Sequence, residues 1–541
     1  MDKDYFEENK RQYAMSFNRG SIMNTSRDLL INQSQNFKLS LRKNRLNNFI
    51  TAKRMMNQAR QNRKLEITLD AINLSNIDTH PTFSTMDELY QFIKRNLNSK
   101  NKEEIKFGIY LLKHYINTNI EQSSSELDEF NTNLISDLFD VFDIFIEKDL
   151  LITYELLNIM INLTYLERKS KISKMCITPM SYRLWERICR TENADLISNL
   201  VWLFGNMACS NKDIGYNILL SNTFDKFILP FFEEEKYKVF NAEEKMSLIE
   251  TGSAFLSKLI FTEDEKSHQK IFELNRRILL LLLQYYNKYG NEIIITATVK
   301  AFSMIETSIE LYIDLVKHSD LIPYIIRIKN PSFCLQTSTI RLIGNISAQT
   351  EMSDKKGWPP GIEMYILLYL SDALESFESE IRKETLWCLS NFASESPELT
   401  HAIITNQKSI NQIIKILRED RDIGVINEGV FLLGNLLNSS RINDFDILMG
   451  YRILPLLLES VVKFDKYDTI LEVLFQSIGI CLKNGELRRT NPMEDNLVLK
   501  AFIELGGKDL LEKYQNTQRE RLYSLIQEIM LEFFTVREVD I

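Results

Sequence analysis

Five asparagines, Asn162, Asn206, Asn345, Asn391 and Asn435, each follow a run of aliphatic and aromatic residues that would otherwise read as the buried stripe of a helix. A primary amide is both donor and acceptor, so it is costly to bury without a partner. The same local pattern brings each one in: an apolar run, a small residue or Gly, then Asn. It is seen in Leu157-Asn158-Ile159-Met160-Ile161-Asn162, Val201-Trp202-Leu203-Phe204-Gly205-Asn206, Arg341-Leu342-Ile343-Gly344-Asn345, Leu386-Trp387-Cys388-Leu389-Ser390-Asn391 and Val430-Phe431-Leu432-Leu433-Gly434-Asn435. Four residues earlier, one turn away on the same face, stand Asn158, Trp202, Arg341, Trp387 and Phe431. Amides in a row can clamp the regularly repeating N–H and C=O groups of an extended peptide. Indole faces beside them can bracket Lys or Arg stems while acids meet the charged tips.

The spacing identifies the elements that must hold such a row. Successive asparagines are 44, 139, 46 and 44 residues apart, and 139 is close to three times 46. Two diverged repeats therefore belong in the gap, around Ser257-Lys258 and Ser303-Met304. A period of about 40–47 residues implies units of two or three helices that stack and share one core. The expected fold is all-α with almost no sheet, an armadillo-repeat right-handed superhelical solenoid of about ten repeats preceded by a basic N-terminal arm. Only 10 Pro and 17 Gly interrupt 541 residues, which suits many helices joined by short turns.

Charge is divided along the chain. Residues 1–64 hold 14 Lys and Arg against five Asp and Glu, a net of +9, leaving −18 on the remainder of a chain whose total is −9. A basic arm on an acidic body suits attraction of basic partners to the body, and argues against nucleic acid as the main ligand. The charged start, Met1-Asp2-Lys3-Asp4, and the shortness of the longest aliphatic run, Ile278 to Leu283, lead to the expectation of an intracellular protein without membrane insertion. Six scattered Cys form no CxxC pair and read as small buried hydrophobes, while five His (80, 114, 268, 318, 401) form no ligand-spaced pair. With no phosphate loop or nucleophile elbow, we expect neither an enzyme nor a cofactor or metal.

Together these segments resemble the importin-alpha family. Trp202 and Asn206 are similar to that family's second-repeat WxxxN motif, and Arg341 with Asn345 to its fifth repeat, where Arg replaces Trp. Ile381 to Asn391 resembles the sixth repeat, and Glu428, Phe431 and Asn435 the seventh, with Phe for Trp. Ile503-Glu504-Leu505-Gly506-Gly507-Lys508-Asp509 followed by Leu522 to Phe533 resembles the closing repeat. Leu41, Arg42, Lys43, Arg45, Lys53 and Arg54 resemble the helical half of the family's importin-beta-binding segment, without the run of arginines that precedes it there; Leu29 to Gln35 is uncharged. The resemblance covers roughly 36–535. It implies a tail at 1–35, an importin-beta-binding-like basic helix at 36–64, a linker at 65–83, a repeat array at 84–535 and a tail at 536–541.

The resemblance further implies a nuclear import adaptor that holds nuclear localisation signals of cargo proteins and joins them to importin-beta, with a recycling exportin as a further partner and shuttling between cytoplasm and nucleus. Two cargo stretches follow from the family pattern. The minor-type stretch is Arg341, Asn345, Glu384, Trp387, Asn391, Glu428, Phe431 and Asn435; the major-type stretch keeps Asn162, Trp202 and Asn206. The third and fourth repeats have Ala254 and Lys258, then Lys300 and Met304, and two lysines there would repel a cargo lysine. The minor-type stretch is thus expected to be the main cargo site. Two alternatives stay open: an armadillo scaffold for another extended partner, or an adaptor with a dedicated client in place of classical import signals. Short Gly-Trp-Pro-Pro, 357–360, reads as a turn between repeats. If the basic arm competes for the groove, a chain lacking residues 1–70 should bind a labelled Lys-rich import peptide more tightly than the full chain in an anisotropy titration. Equal affinities would dismiss that competition.

Overall fold

The computed structural model describes residues 86–118, 125–166, 173, 179–260, 268–304, 320–350, 361–489, 495–515 and 519–534. The arm residues Leu41 to Arg54, the linker, both tails and Gly-Trp-Pro-Pro at 357–360 lie outside the described residues. All regular structure among the described residues is helical. The described residues divide into two units, those up to residue 304 and those from residue 320 on.

In the first unit the α-helices are α1 (Met86–Leu97), α2 (Lys102–Thr118), α3 (Ser125–Phe145), α4 (Leu150–Leu166), α5 (Pro179–Arg190), α6 (Ala194–Ser210), α7 (Lys212–Leu220), α8 (Leu229–Glu233), α9 (Ala242–Leu256), α10 (His268–Tyr289) and α11 (Glu292–Phe302). Helices α4, α6, α9 and α11 pack one against the next in series. The other helices of this unit flank that series. Local chemistry starts these helices cleanly. Asn193 caps α6 by accepting from Leu196 N–H, Asn291 caps α11, and Asn241 with Glu244 forms a reciprocal capping box on α9.

The second unit contains α12 (Leu321–Ile325), α13 (Phe333–Thr350), α14 (Glu363–Ala373), α15 (Ser379–Glu395), α16 (Pro397–Thr405), α17 (Gln407–Glu419), α18 (Ile423–Ser439), α19 (Ile442–Gly450), α20 (Ile453–Lys463), α21 (Asp468–Leu487), α22 (Leu497–Glu504), α23 (Gly507–Tyr514) and α24 (Glu520–Phe533). Its series runs α13, α15, α18, α21 and ends on α24. The repeat is plain in α16–α18 and again in α19–α21: a short helix, a medium one, then a long one. α15, α18 and α21 begin at residues 379, 423 and 468. These starts reproduce the spacing of the asparagines.

The long helices bury nearly everything around them, so each lies inside its stack rather than on one flank of it. α18, for example, buries Val425, Ile426, Val430, Leu432, Leu433, Leu436 and Leu437. Each such side chain contributes about 1.5–3 kcal/mol on leaving water. Of the cysteines, Cys388 and Cys481 are buried as expected, but Cys189, Cys209 and Cys334 are half-buried. These three sit in the first or last turn of their helices, where neighbouring helices cover less of them. Burial still pushes the Cys189 thiol up to about 12, so it stays protonated at neutral pH.

Glycine before the asparagine permits close packing. A Cβ on Gly344 would lie 2.2 Å from Cζ3 of Trp387 in the next long helix. Gly344→Ala should therefore cost about 1–3 kcal/mol of unfolding free energy. Gly450→Ala, where a Cβ meets nothing within 4 Å, should change stability far less in the same urea melts. Equal effects would contradict this packing.

Candidate functional site

Three of the five asparagines, Asn206, Asn391 and Asn435, point the amide nitrogen across to the preceding long helix, and in each case it meets the residue just before that helix's own ladder position. Asn391 Nδ2 donates to the Gly344 carbonyl at 3.0 Å. Asn435 Nδ2 donates to the Ser390 carbonyl at 3.2 Å and to Ser390 Oγ at 2.8 Å. In the first unit Asn206 Nδ2 donates to the Ile161 carbonyl at 3.1 Å. A helical carbonyl has a second lone pair beyond its own i+4 bond, and a small side chain leaves it open to a neighbour. That is the physical content of the small-then-Asn pattern. The amide has a repeated partner inside the fold, which the sequence reading had assigned wholly to a bound peptide.

Lys258 takes the same place in the repeat after Asn206. Its Nζ lies 3.4 Å from the Gly205 carbonyl, and a Cβ on Gly205 would stand 3.1 Å from that ammonium. The lysine thus extends the row of inter-helix bonds by one step with a cation in place of an amide. Met304, at the next position, is only 9% exposed and contributes packing instead. Ala254 and Lys300 are half-buried.

The two stretches differ in how far their polar groups are already satisfied. In the second unit Arg341 and Glu384 form a two-pronged ion pair, Nε to Oε2 at 3.0 Å and Nη2 to Oε1 at 2.9 Å, with both residues buried. The Arg341 guanidinium also lies 5.3 Å from the Trp387 ring centre, and Trp387 is only 7% exposed. Both carboxylate oxygens and the indole are therefore occupied by a cation of the chain itself. Asn345, Asn391, Glu428 and Asn435 are buried too, while Phe431 is half-buried.

In the first unit Trp202 and Asn162 are half-buried and Asn206 is buried. Asn199 Nδ2 donates to Asn158 Oδ1 at 3.0 Å, linking α6 to α4. Among the described residues several buried polar atoms of this unit have no hydrogen-bond partner, and two of them lie on α4 and α6: the donor Asn158 Nδ2 and the acceptor Asn206 Oδ1. Such atoms cost about 1–3 kcal/mol each when nothing meets them. A donor and an acceptor on adjacent helices are the groups that a peptide unit supplies with partners.

Two contributors, Asn199 and Asn484, were not singled out from the sequence, and one pairing was missed. Glu384 had been read as a cargo acid, and its pairing with Arg341 could have been found from the 43-residue separation, one repeat. Asn199 was hidden because no other ladder position has an asparagine two turns before it; Glu155, Ser338, Glu384 and Glu428 stand there instead. Asn484, whose Nδ2 reaches the Leu437 carbonyl at 3.5 Å, lies 49 residues after Asn435 and so fell off the expected interval.

No family model and no curated protein sequence matches the chain. Solved structures do. An engineered protein from a structural genomics consortium aligns with a TM-score of 0.60 at 13% identity, over 82% of this chain and 98% of that one. A designed armadillo repeat protein in complex with the peptide (KR)4 aligns at 20% identity and a TM-score of 0.39, over 47% of this chain and 99% of that one. A structure described as concerning the phosphorylation-controlled interaction of cadherin and beta-catenin aligns at 10% identity and 0.47, over 82% and 79%. Three helices per repeat, long helices in series and a period near 45 residues define an all-α armadillo-type solenoid.

Removing one member of the buried pair distinguishes a structural ion pair from an open acidic site. Arg341→Met leaves Glu384 buried and unpaired and should cost roughly 3–5 kcal/mol. Arg341→Met combined with Glu384→Leu should recover most of that loss in chemical denaturation. A single variant as stable as the parent would refute the pairing.

Proposed function

We propose that the chain binds an extended basic peptide along the α4, α6 and α9 face that carries Asn158, Trp202 and Asn206. On this reading it is a nuclear import adaptor: it holds the localisation signal of a cargo protein there and reaches importin-beta through the basic segment 36–64. The observation that carries peptide binding is the pair of buried polar atoms without partners, Asn158 Nδ2 and Asn206 Oδ1, beside the half-buried Trp202. A peptide backbone satisfies both, and an indole face accepts a basic side chain. The net charge of −18 on residues 65–541 favours a basic ligand. Support for the adaptor role comes from the resemblance of the arm and of the Ile381 to Asn391 segment.

On this reading the main cargo stretch lies in the first unit, the reverse of the order expected from residue types alone. Arg341 is the reason, because it already occupies Glu384 and Trp387. Asn345, Asn391, Glu428, Phe431 and Asn435 then serve a second and weaker stretch. The same closed cluster, together with Lys258 in the wall, favours one other reading: an adaptor whose dedicated client differs from classical import signals.

Anisotropy titrations of a Lys-rich import peptide and a pull-down with importin-beta separate these readings. Trp202→Ala should weaken the peptide at least tenfold, about 1.4 kcal/mol, while Trp387→Ala changes it by less than about threefold. The full chain should retain importin-beta, and replacing Arg42, Lys43 and Arg45 by Glu should release it. Retention of importin-beta without binding of the peptide would select the dedicated-client reading. Binding of neither would dismiss the adaptor.

A further inference from the structure

Lys258 differs from the half-buried cations of the first unit that meet carboxylates. Arg277 is held by Asp225 and Glu233, Lys113 by Glu155, and Arg187 by Asp143 and Glu147. Lys258 Nζ has the Gly205 carbonyl at 3.4 Å, and among the described residues no carboxylate lies within ion-pairing distance of it. A neutral carbonyl orients an ammonium without cancelling its charge. The chain therefore keeps a full positive charge at a place where the preceding repeat uses the neutral amide of Asn206.

Position makes that charge readable by a ligand. Lys258 directly follows α9, and its ammonium is drawn to the α6 residue adjoining Asn206, whose Oδ1 lacks a partner. Trp202 lies one turn before Asn206 on the same helix. Packed helices are about 8–10 Å apart and an extended chain advances about 3.3 Å per residue. A peptide crossing from one long helix to the next therefore presents side chains two or three residues apart to successive ladder positions. A basic side chain at Trp202 is then followed, two or three residues on in one direction, by a side chain at Lys258. Lysine or arginine there meets a like charge; aspartate or glutamate completes the ion pair that this lysine lacks.

We propose that Lys258 is a specificity-determining residue, which selects extended peptides of mixed charge: a basic side chain for Trp202 and a carboxylate two or three residues away for Lys258. This rests on the peptide-binding reading above and narrows its ligand from a uniformly basic peptide to a basic and acidic one. The small size of Gly205 contributes, since it lets the ammonium reach a backbone carbonyl of α6.

The test is a competition series on the full chain with short peptides that share one central Lys and carry Glu, Gln or Lys at the second or third position on either side. At one of these positions Glu should bind about fivefold more tightly than Gln and about tenfold more tightly than Lys. Lys258→Asn should erase the preference, so that the Glu and Gln peptides bind within about twofold of each other. Lys258→Arg should retain the preference, which guards against a merely structural loss in the first variant. If Glu gives no gain at any position, or the gain survives Lys258→Asn, the specificity role is overturned while binding of the basic peptides leaves the peptide-binding reading in place. If no peptide in the series binds, both are overturned.

Discussion

The amide-to-carbonyl bond between successive long helices is the constraint around which the rest is arranged. A carbonyl in mid-helix is ordinarily hidden by side chains from a neighbouring helix. Here the residue that owns it is Gly344, Ser390 or Gly205, small enough to let a donor in, and in one case Ile161. Each such bond is worth only about 1 kcal/mol net, but an unmet amide at the same place would cost about as much or more. The asparagines therefore fix how one long helix meets the next, and every side chain beside them inherits that spacing.

Two side chains inherit it with opposite results. In the second unit, Arg341 in one helix and Glu384 in the next come into two-pronged contact, with Trp387 beneath the guanidinium. Chemistry that a bound basic peptide would otherwise complete is completed internally. In the first unit the matching place has no arginine: Trp202 stays half-buried, and an amide donor and an amide oxygen remain without partners. The same repeat thus yields a self-satisfied stretch and an unsatisfied one. Two positions differ between them, Arg341 and Glu384 in one and Asn158 and Asn199 in the other.

Much of this was legible in the sequence because repetition amplifies weak signals. One buried Asn says little; five at intervals of 44 and 46 residues, or a multiple, reveal both the helices and the face they share. What the pattern could not convey was direction. The asparagine nitrogens turn towards the preceding helix, and Glu384 turns to Arg341, because contacts across 43 to 47 residues depend on how the helices stack and not on local spacing. Lys258 illustrates the same limit from the other side. Its type suggested repulsion of a ligand, yet its Nζ continues the inter-helix bond that the asparagine makes elsewhere.

If the amides brace the helices in both units but face a ligand only where their remaining atoms are unmet, stability and affinity should separate between Asn206 and Asn391. The most direct measurement is a paired one, unfolding free energy and peptide affinity for Asn206→Ala and Asn391→Ala. Both variants should lose about 1 kcal/mol of stability. Only Asn206→Ala should also weaken the peptide, by about tenfold. Undiminished stability in both, or a larger loss of affinity in Asn391→Ala, would contradict it.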